Sequence, residues 1–153
     1  MPALRRALLP DDKHRIRLEQ FAVLPKLRVD RESDTQAGSG AERALKLCEP
    51  ENSGLYADDR LFCLALAYHA LGRRADAEAA FQKLKALDGD ASAYWYARIE
   101  AQWGHAAAAM NWLQTAERRR DEALVSLKVR WLLDPIRREP EFVALERRLQ
   151  FPP

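Results

Sequence analysis

The chain has 153 residues, with 25 lysines and arginines against 23 aspartates and glutamates, which gives a formal net charge of +2. This length provides for one domain with a substantial hydrophobic core. The near-neutral balance excludes a protein-wide electrostatic field of the kind that attracts nucleic acid or an anionic membrane. We therefore expect no membrane partner, and nucleic acid is not the expected ligand.

The first 40 residues are predicted to form a weakly helical or disordered N-terminal segment. Prolines divide it into pieces of weak periodicity, for which short helices are expected at about 3–9 and 13–24. The segment ends in small and polar residues at 36–40, a composition typical of a linker. We therefore expect the helical domain to span residues 41–153.

The cysteines and the apolar stretches indicate in which cellular compartment the protein is expected. Because Cys63 lies within an apolar helical run, we expect Cys63 and Cys48 to be a reduced pair rather than a disulfide. The uncharged run that follows Arg5 and Arg6 is too short for the apolar core of a secretory signal. The longest apolar stretch, 61–68, is far below the ~20 residues that cross a bilayer. These features together favour a cytoplasmic protein.

Two helical hairpins are predicted in the middle of the chain. After a short helix at 41–47, the first hairpin spans about 58–87 and turns at Gly72. The second spans about 91–119 and turns at Gly104. Glycine is favoured at such turns because it adopts the left-handed conformation that ends many helices.

The two hairpins follow one repeating pattern. The first carries a series of spaced residues that resembles a tetratricopeptide repeat: Leu61, Leu64, Ala65, Tyr68, Gly72, Ala77 and Phe81. Gly104 follows Gly72 after 32 residues, close to the 34-residue period of that repeat, and the Ala77 and Phe81 pair recurs as Ala109 and Leu113. The resemblance implies an all-α fold, a short α-solenoid of antiparallel helical hairpins.

The end of the chain, about 122–149, is predicted to cap the solenoid with helices. A helix capped by Asp121 and running to Leu133 is expected to be mostly buried, because apolar residues recur along it at steps of three and four. Its stripe consists of Leu124, Leu127 and Trp131, widened by Val125, Val129 and Leu132. A last short helix begins near Pro140, and its apolar edge comprises Phe142, Leu145 and Leu149.

From about residue 47 onward the chain resembles the C-terminal tetratricopeptide tail of bacterial signalling proteins such as winged-helix regulators, adenylate cyclases and serine/threonine kinases. The stretches that carry this likeness are 64–72, 93–104, 111–113, 127–129 and 133–142. The resemblance implies a helical interaction region attached to an output domain, although no winged-helix, cyclase or kinase motif occurs in this chain. Two departures stand out: Glu100 replaces the equivalent of Tyr68, and residues 37–40 are unsuited to an upstream helix.

A partner-binding groove is predicted beside the repeat motif. It comprises a stripe on the first helix and its equivalent on the third: Phe62, Leu66, His69, Tyr94, Arg98 and Gln102. Such a surface suits an apolar or amphipathic peptide that Arg98 orients through a carboxylate. The alternative is that the N-terminal segment covers Phe62 and Leu66. A third stripe, Trp95, Ile99 and Trp103, is expected to pack on the preceding helix.

No catalytic or metal constellation is predicted. The chain has no glycine-rich phosphate loop or nucleophile elbow, and its histidines are too scattered to suggest a metal, so we expect no cofactor. The leading hypothesis is a non-catalytic module that binds a protein or peptide. A regulatory fragment that binds a small molecule and controls a separate output protein is the alternative, suggested by the polar Glu100. The arginines at 118–120 suggest nucleic acid, but they also suit a helix C-terminus.

Overall fold

The computed structural model describes residues 34–51 and 53–151, and this part of the chain is all-helical. Its α-helices are α1 (Asp34–Cys48), α2 (Ala57–Ala70), α3 (Arg74–Asp88), α4 (Ala93–Gln102), α5 (Ala106–Arg118) and α6 (Pro140–Arg148). Three 3-10 segments join them, at Gly89–Ser92, Glu122–Ser126 and Trp131–Ile136. The all-α class predicted from the sequence is confirmed. The helices expected at 3–9 and 13–24 lie outside the described residues.

The linker predicted at 36–40 is wrong, because these residues belong to α1. Along α1 the buried residues recur at helical spacing and form one stripe: Ala41, Ala44, Leu45 and Cys48. This stripe packs against α2, and tertiary packing of an apolar face outweighs the low helix propensity of glycine. The composition of 37–40 does not reveal this packing, which is why the helix before the first hairpin was predicted only at 41–47.

The expectation of reduced cysteines is also wrong: Cys48 and Cys63 form a disulfide. Cys48 ends the buried stripe of α1, and Cys63 lies in the middle of α2. The packing of α1 along α2 brings their Cα atoms to 6.3 Å, a separation that a disulfide bridges. The bond therefore fastens the C-terminal end of α1 to α2.

The two predicted hairpins are present as the pairs α2 with α3 and α4 with α5, and the helices of each pair pack on one another. Gly72 and Gly104 make the turns with φ values of +74° and +83°, where glycine has no steric penalty. The repeated alanine and apolar positions are all buried: Ala77, Phe81, Ala109 and Leu113. None of the helices among the described residues is long and apolar enough to cross a membrane.

Gly104→Ala is expected to lower the free energy of unfolding by about 1 kcal/mol, because an L residue is strained at this positive φ. A Cβ at Gly104 would have no atom within 4 Å, so steric contact adds nothing to the cost of the strained backbone conformation. Arg120 provides the opposite test, since it is a non-glycine residue at φ +55°. Arg120→Gly is expected to stabilise the protein by up to about 1 kcal/mol in urea titrations. Equal decreases in the free energy of unfolding for Gly104→Ala and Arg120→Gly would contradict this explanation.

The mostly buried helix predicted from Asp121 to Leu133 is wrong, because the chain forms two 3-10 segments there instead. Val125 and Val129 are 79% and 78% exposed rather than part of a buried stripe. Buried residues in these segments are three positions apart, as in the pairs Leu124 with Leu127 and Leu133 with Ile136. This spacing fits the three-residue turn of a 3-10 helix. The predicted cap is present, since the Ala123 amide donates to Asp121 Oδ1 at 2.9 Å.

The last helix, α6, begins at Pro140 as predicted, and Phe142 and Leu145 are fully buried. It is joined to α5 by Arg148, whose guanidinium donates two hydrogen bonds of 2.9 Å to the Glu117 carboxylate. These bonds lower the pKa of Glu117 below its usual value. The described chain thus ends in a helix packed on the second hairpin.

Candidate functional site

The six residues predicted to line a groove come from α2 and α4, but most of them are interior. Buried side chains are Phe62, Leu66, Tyr94 and Arg98, whereas His69 and Gln102 are partly exposed. The open groove predicted across all six is therefore not present in this structure.

Part of the physical reason is that α4 packs against the predicted stripe of α2 at Phe62. The Trp95 ring packs edge-on against Phe62 with a centroid distance of 4.7 Å. The Arg98 guanidinium also lies 5.0 Å from the Phe62 ring centroid. Phe62 thus packs against the neighbouring hairpin. The alternative that the N-terminal segment covers this stripe concerns residues outside those described.

A cavity of about 210 Å³ remains where the stripe reaches the ends of α2 and α4. Three predicted groove residues line it, joined by Ala70 and Trp103 at the helix ends and by two residues of the third 3-10 segment. The full lining is Leu66, His69, Ala70, Gln102, Trp103, Trp131 and Leu132. Ala70 is exposed, so the cavity has a wall at the surface of the protein. The sequence-based groove is therefore reduced to this smaller, mainly aromatic and aliphatic recess.

His69 and Trp103 form one wall of the cavity as a stacked pair, with ring centroids 5.3 Å apart and an interplanar angle of 14°. Burial lowers the pKa of His69 from its ordinary value, and the charge of Arg74 and a smaller contribution from His105 lower it further. Burial thus favours the neutral form of His69. The wall presents the flat surfaces of two rings.

The polar groups around the cavity are few. Gln102 Nε2 donates a hydrogen bond of 2.8 Å to the Leu132 carbonyl, which joins α4 to the 3-10 segment at Trp131–Ile136. Trp103 Nε1 is buried with no hydrogen-bond acceptor among the described residues. A buried donor without an acceptor is costly, so Trp103 Nε1 destabilises the fold slightly.

The stripe predicted to pack on preceding helices does so. Ile99 is fully buried, Trp95 contacts Phe62, and Trp103 meets Phe81 edge-on at 5.2 Å. Trp103 also faces the cavity, together with Trp131, and neither of these roles was predicted. The position of Trp131 depends on the 3-10 segment, which its local pattern did not reveal.

Glu100, the polar residue that suggested a small-molecule site, has a partner within the chain. Its Oε2 lies 2.7 Å from His105 Nδ1, one residue beyond the turn of the second hairpin. The side chain of Glu100 is 12% exposed, so this contact satisfies a largely enclosed carboxylate. A ligand is not needed to explain a polar residue at this position.

The described residues contain no metal-binding cluster, and the arginines near residue 118 lie at the end of a helix. Within residues 34–51 and 53–151 no group of three or more His, Cys, Asp or Glu side chains could hold a metal ion. Arg118 ends α5 and donates to Thr115 Oγ1, and Arg119 follows as the C-cap. This is the helix C-terminal position where cations interact favourably with the backbone dipole.

No protein-family model, curated protein or solved structure gives a significant match to this chain. The function of the chain is therefore inferred from its residues and their geometry.

Proposed function

We propose that this chain is a non-catalytic interaction module of the tetratricopeptide type that binds a peptide segment of a partner protein. In this proposal α2 to α5 are two repeats of a short solenoid, preceded by α1 and capped by α6. The 32-residue spacing of Gly72 and Gly104 supports it, as does the burial of the equivalent positions Phe81 and Leu113. Packing of α2 against α4 adds the contact expected between neighbouring repeats.

The observation that carries the proposal is the cavity between α2, α4 and Trp131. Apolar cavities of about 150 Å³ hold a benzene ring, so about 210 Å³ accommodates one aromatic or branched side chain. Flat rings of His69, Trp103 and Trp131 line it, and aromatic residues are enriched at binding hot spots. A partner peptide would anchor one apolar side chain here.

The size of the cavity favours a peptide over a small molecule. Pockets for drug-sized ligands usually measure about 300–1,000 Å³, which exceeds the volume available here. The regulatory small-molecule alternative also loses its original support, since Glu100 is paired with His105. We therefore place the module, by the resemblance of its sequence, in bacterial signalling as the partner-binding part of a system whose output function lies elsewhere.

Ala70→Trp tests this function by filling the mouth of the cavity from an exposed position. Peptides selected from a displayed random library against the wild-type protein would be measured by fluorescence anisotropy against both proteins. We expect Ala70→Trp to weaken binding at least tenfold, since the anchoring side chain loses its space.

Ala79→Trp is the matched control, because Ala79 is exposed on α3 and lines no part of this cavity. It should bind the selected peptides with the wild-type affinity. Circular dichroism would show that both variants remain helical. Peptides that bind Ala70→Trp as tightly as the wild type would overturn the proposed site.

A further inference from the structure

Arg98 is an unusual residue for the interior of a small domain. It is 4% exposed and lies on α4 between the two hairpins. Burial lowers the pKa of its guanidinium to about 10, with a smaller contribution from the charge of Arg130. Arg98 is thus still a cation at pH 7. A buried cation is expected to have an anionic partner, because desolvation of an unpaired charge is costly.

The described residues supply no such partner. Neither Arg98 nor Arg130 forms an ion pair within 34–51 and 53–151, and the Nε of each is buried without a hydrogen-bond acceptor. The charge of Asp121 acts on the Tyr94 hydroxyl. Its carboxylate instead accepts the Ala123 amide. Arg98 and Arg130 are therefore close enough for their charges to interact, and the Nε–H group of each has no hydrogen-bond acceptor.

The surroundings of Arg98 offset only part of this cost. Three ring centroids lie near its Cζ, at 5.0 Å for Phe62, 5.5 Å for Trp95 and 5.9 Å for Tyr94. These cation–π contacts stabilise the charge but accept none of its N–H donors. The Tyr94 hydroxyl is held 3.1 Å from Ser126 Oγ, which fixes that ring on the side of the first 3-10 segment after α5.

The arginines are close in sequence to residues that line the cavity proposed to bind a peptide. Arg98 lies one helical turn before the cavity residue Gln102 on α4, a rise of about 6 Å. Arg130 directly precedes the cavity residue Trp131 in the chain. An acidic group and an apolar side chain on one short peptide could therefore reach the two places together.

We propose that Arg98 and Arg130 form a carboxylate-binding site, which receives an acidic side chain or the C-terminus of the partner peptide. The source of the carboxylate rests on the proposed function, whereas the site itself does not. A planar carboxylate matches the fork of N–H donors on a guanidinium. Aromatic walls strengthen this contact by keeping the local dielectric low. The structure thus assigns to the partner an acidic group next to its apolar anchor.

The test uses the free, full-length protein labelled with nitrogen-15 and the Nε–Hε signals of its arginines in two-dimensional NMR. Glutarate, a small dicarboxylate, is titrated against sodium chloride and sodium phosphate at matched ionic strength. We expect saturable shifts of the Arg98 and Arg130 signals with glutarate, no comparable shift with chloride, and no shift of exposed Arg138. Loss of a signal in Arg98→Met, Arg130→Met or Arg138→Met identifies it.

Arg130→Met should weaken glutarate binding about tenfold at Arg98, and Arg138→Met should leave it unchanged. Ala70→Trp should also leave it unchanged, so failure of the peptide cavity is distinguishable from failure of the arginine site. If Arg98→Met does not fold, the half-buried Arg130 variant still decides the question. Arg98 and Arg130 signals that do not shift with glutarate, or that shift equally with chloride, would overturn the carboxylate-binding site. Tighter binding of phosphate than glutarate overturns the carboxylate class.

Discussion

Reduction of the Cys48–Cys63 disulfide is expected to lower the free energy of unfolding by about 3 kcal/mol. The bond joins residues 15 positions apart, and opening a loop of that size restores conformational entropy to the unfolded chain. Its two cysteines are buried, so reduction also replaces a link between α1 and α2 with two enclosed thiols. Urea titrations with and without dithiothreitol measure the difference.

The control is the double variant Cys48→Ala with Cys63→Ala, whose stability should not respond to dithiothreitol. Amide hydrogen exchange should show α1 opening first in the reduced wild type, because the bond fastens its C-terminal end. Thiol titration of the unfolded, non-reduced protein provides an independent measurement. Two free thiols there, together with an unchanged free energy of unfolding, would contradict the disulfide.

Local patterns predicted the hairpins because those elements are determined by nearby residues. Glycines at 72 and 104 mark turns that need positive φ, and Pro140 marks the first turn of α6. Burial of Ala77 and Ala109 follows from helical spacing alone. The predicted bounds of 58–87 and 91–119 consequently lie close to the observed helix pairs.

Predictions failed where a distant contact decides the local structure. Residues 36–40 are helical because the apolar side of α1 has α2 to pack on, a contact that glycine content does not disclose. Cys48 and Cys63 meet for the same reason. The chain after Asp121 has helical spacing in its sequence, yet Val125 and Val129 face solvent and the fold uses 3-10 turns.

The candidate site, too, could be predicted from the sequence only in part. Helical spacing predicted that Phe62, Leu66 and His69 share one stripe of α2, but it did not show that Phe62 and Leu66 are buried. Only the end of the stripe stays accessible, where Trp131 arrives from a segment far along the chain. Which part of an apolar stripe is core and which part is a site depends on such tertiary contacts.

Phe62→Ala is expected to lower the free energy of unfolding by about 3–5 kcal/mol, because Phe62 is fully buried and its ring fills the space between α2 and α4. The ring also stabilises the Arg98 cation at 5.0 Å, so its removal weakens that contact as well. Chemical denaturation followed by circular dichroism measures the loss.

Leu87→Ala is the control for Phe62→Ala, since Leu87 is 55% exposed on α3 and should change stability by no more than about 0.5 kcal/mol. An exposed groove residue would behave like Leu87 and would instead reduce peptide binding in a fully folded protein. A small decrease in the free energy of unfolding for Phe62→Ala, with weaker binding of the selected peptides, would therefore support the open groove predicted from the sequence. It would contradict the burial of Phe62 in this structure. A large decrease in the free energy of unfolding is expected instead, because Phe62 packs between the two hairpins and the proposed partner site is the cavity at His69 and Trp131.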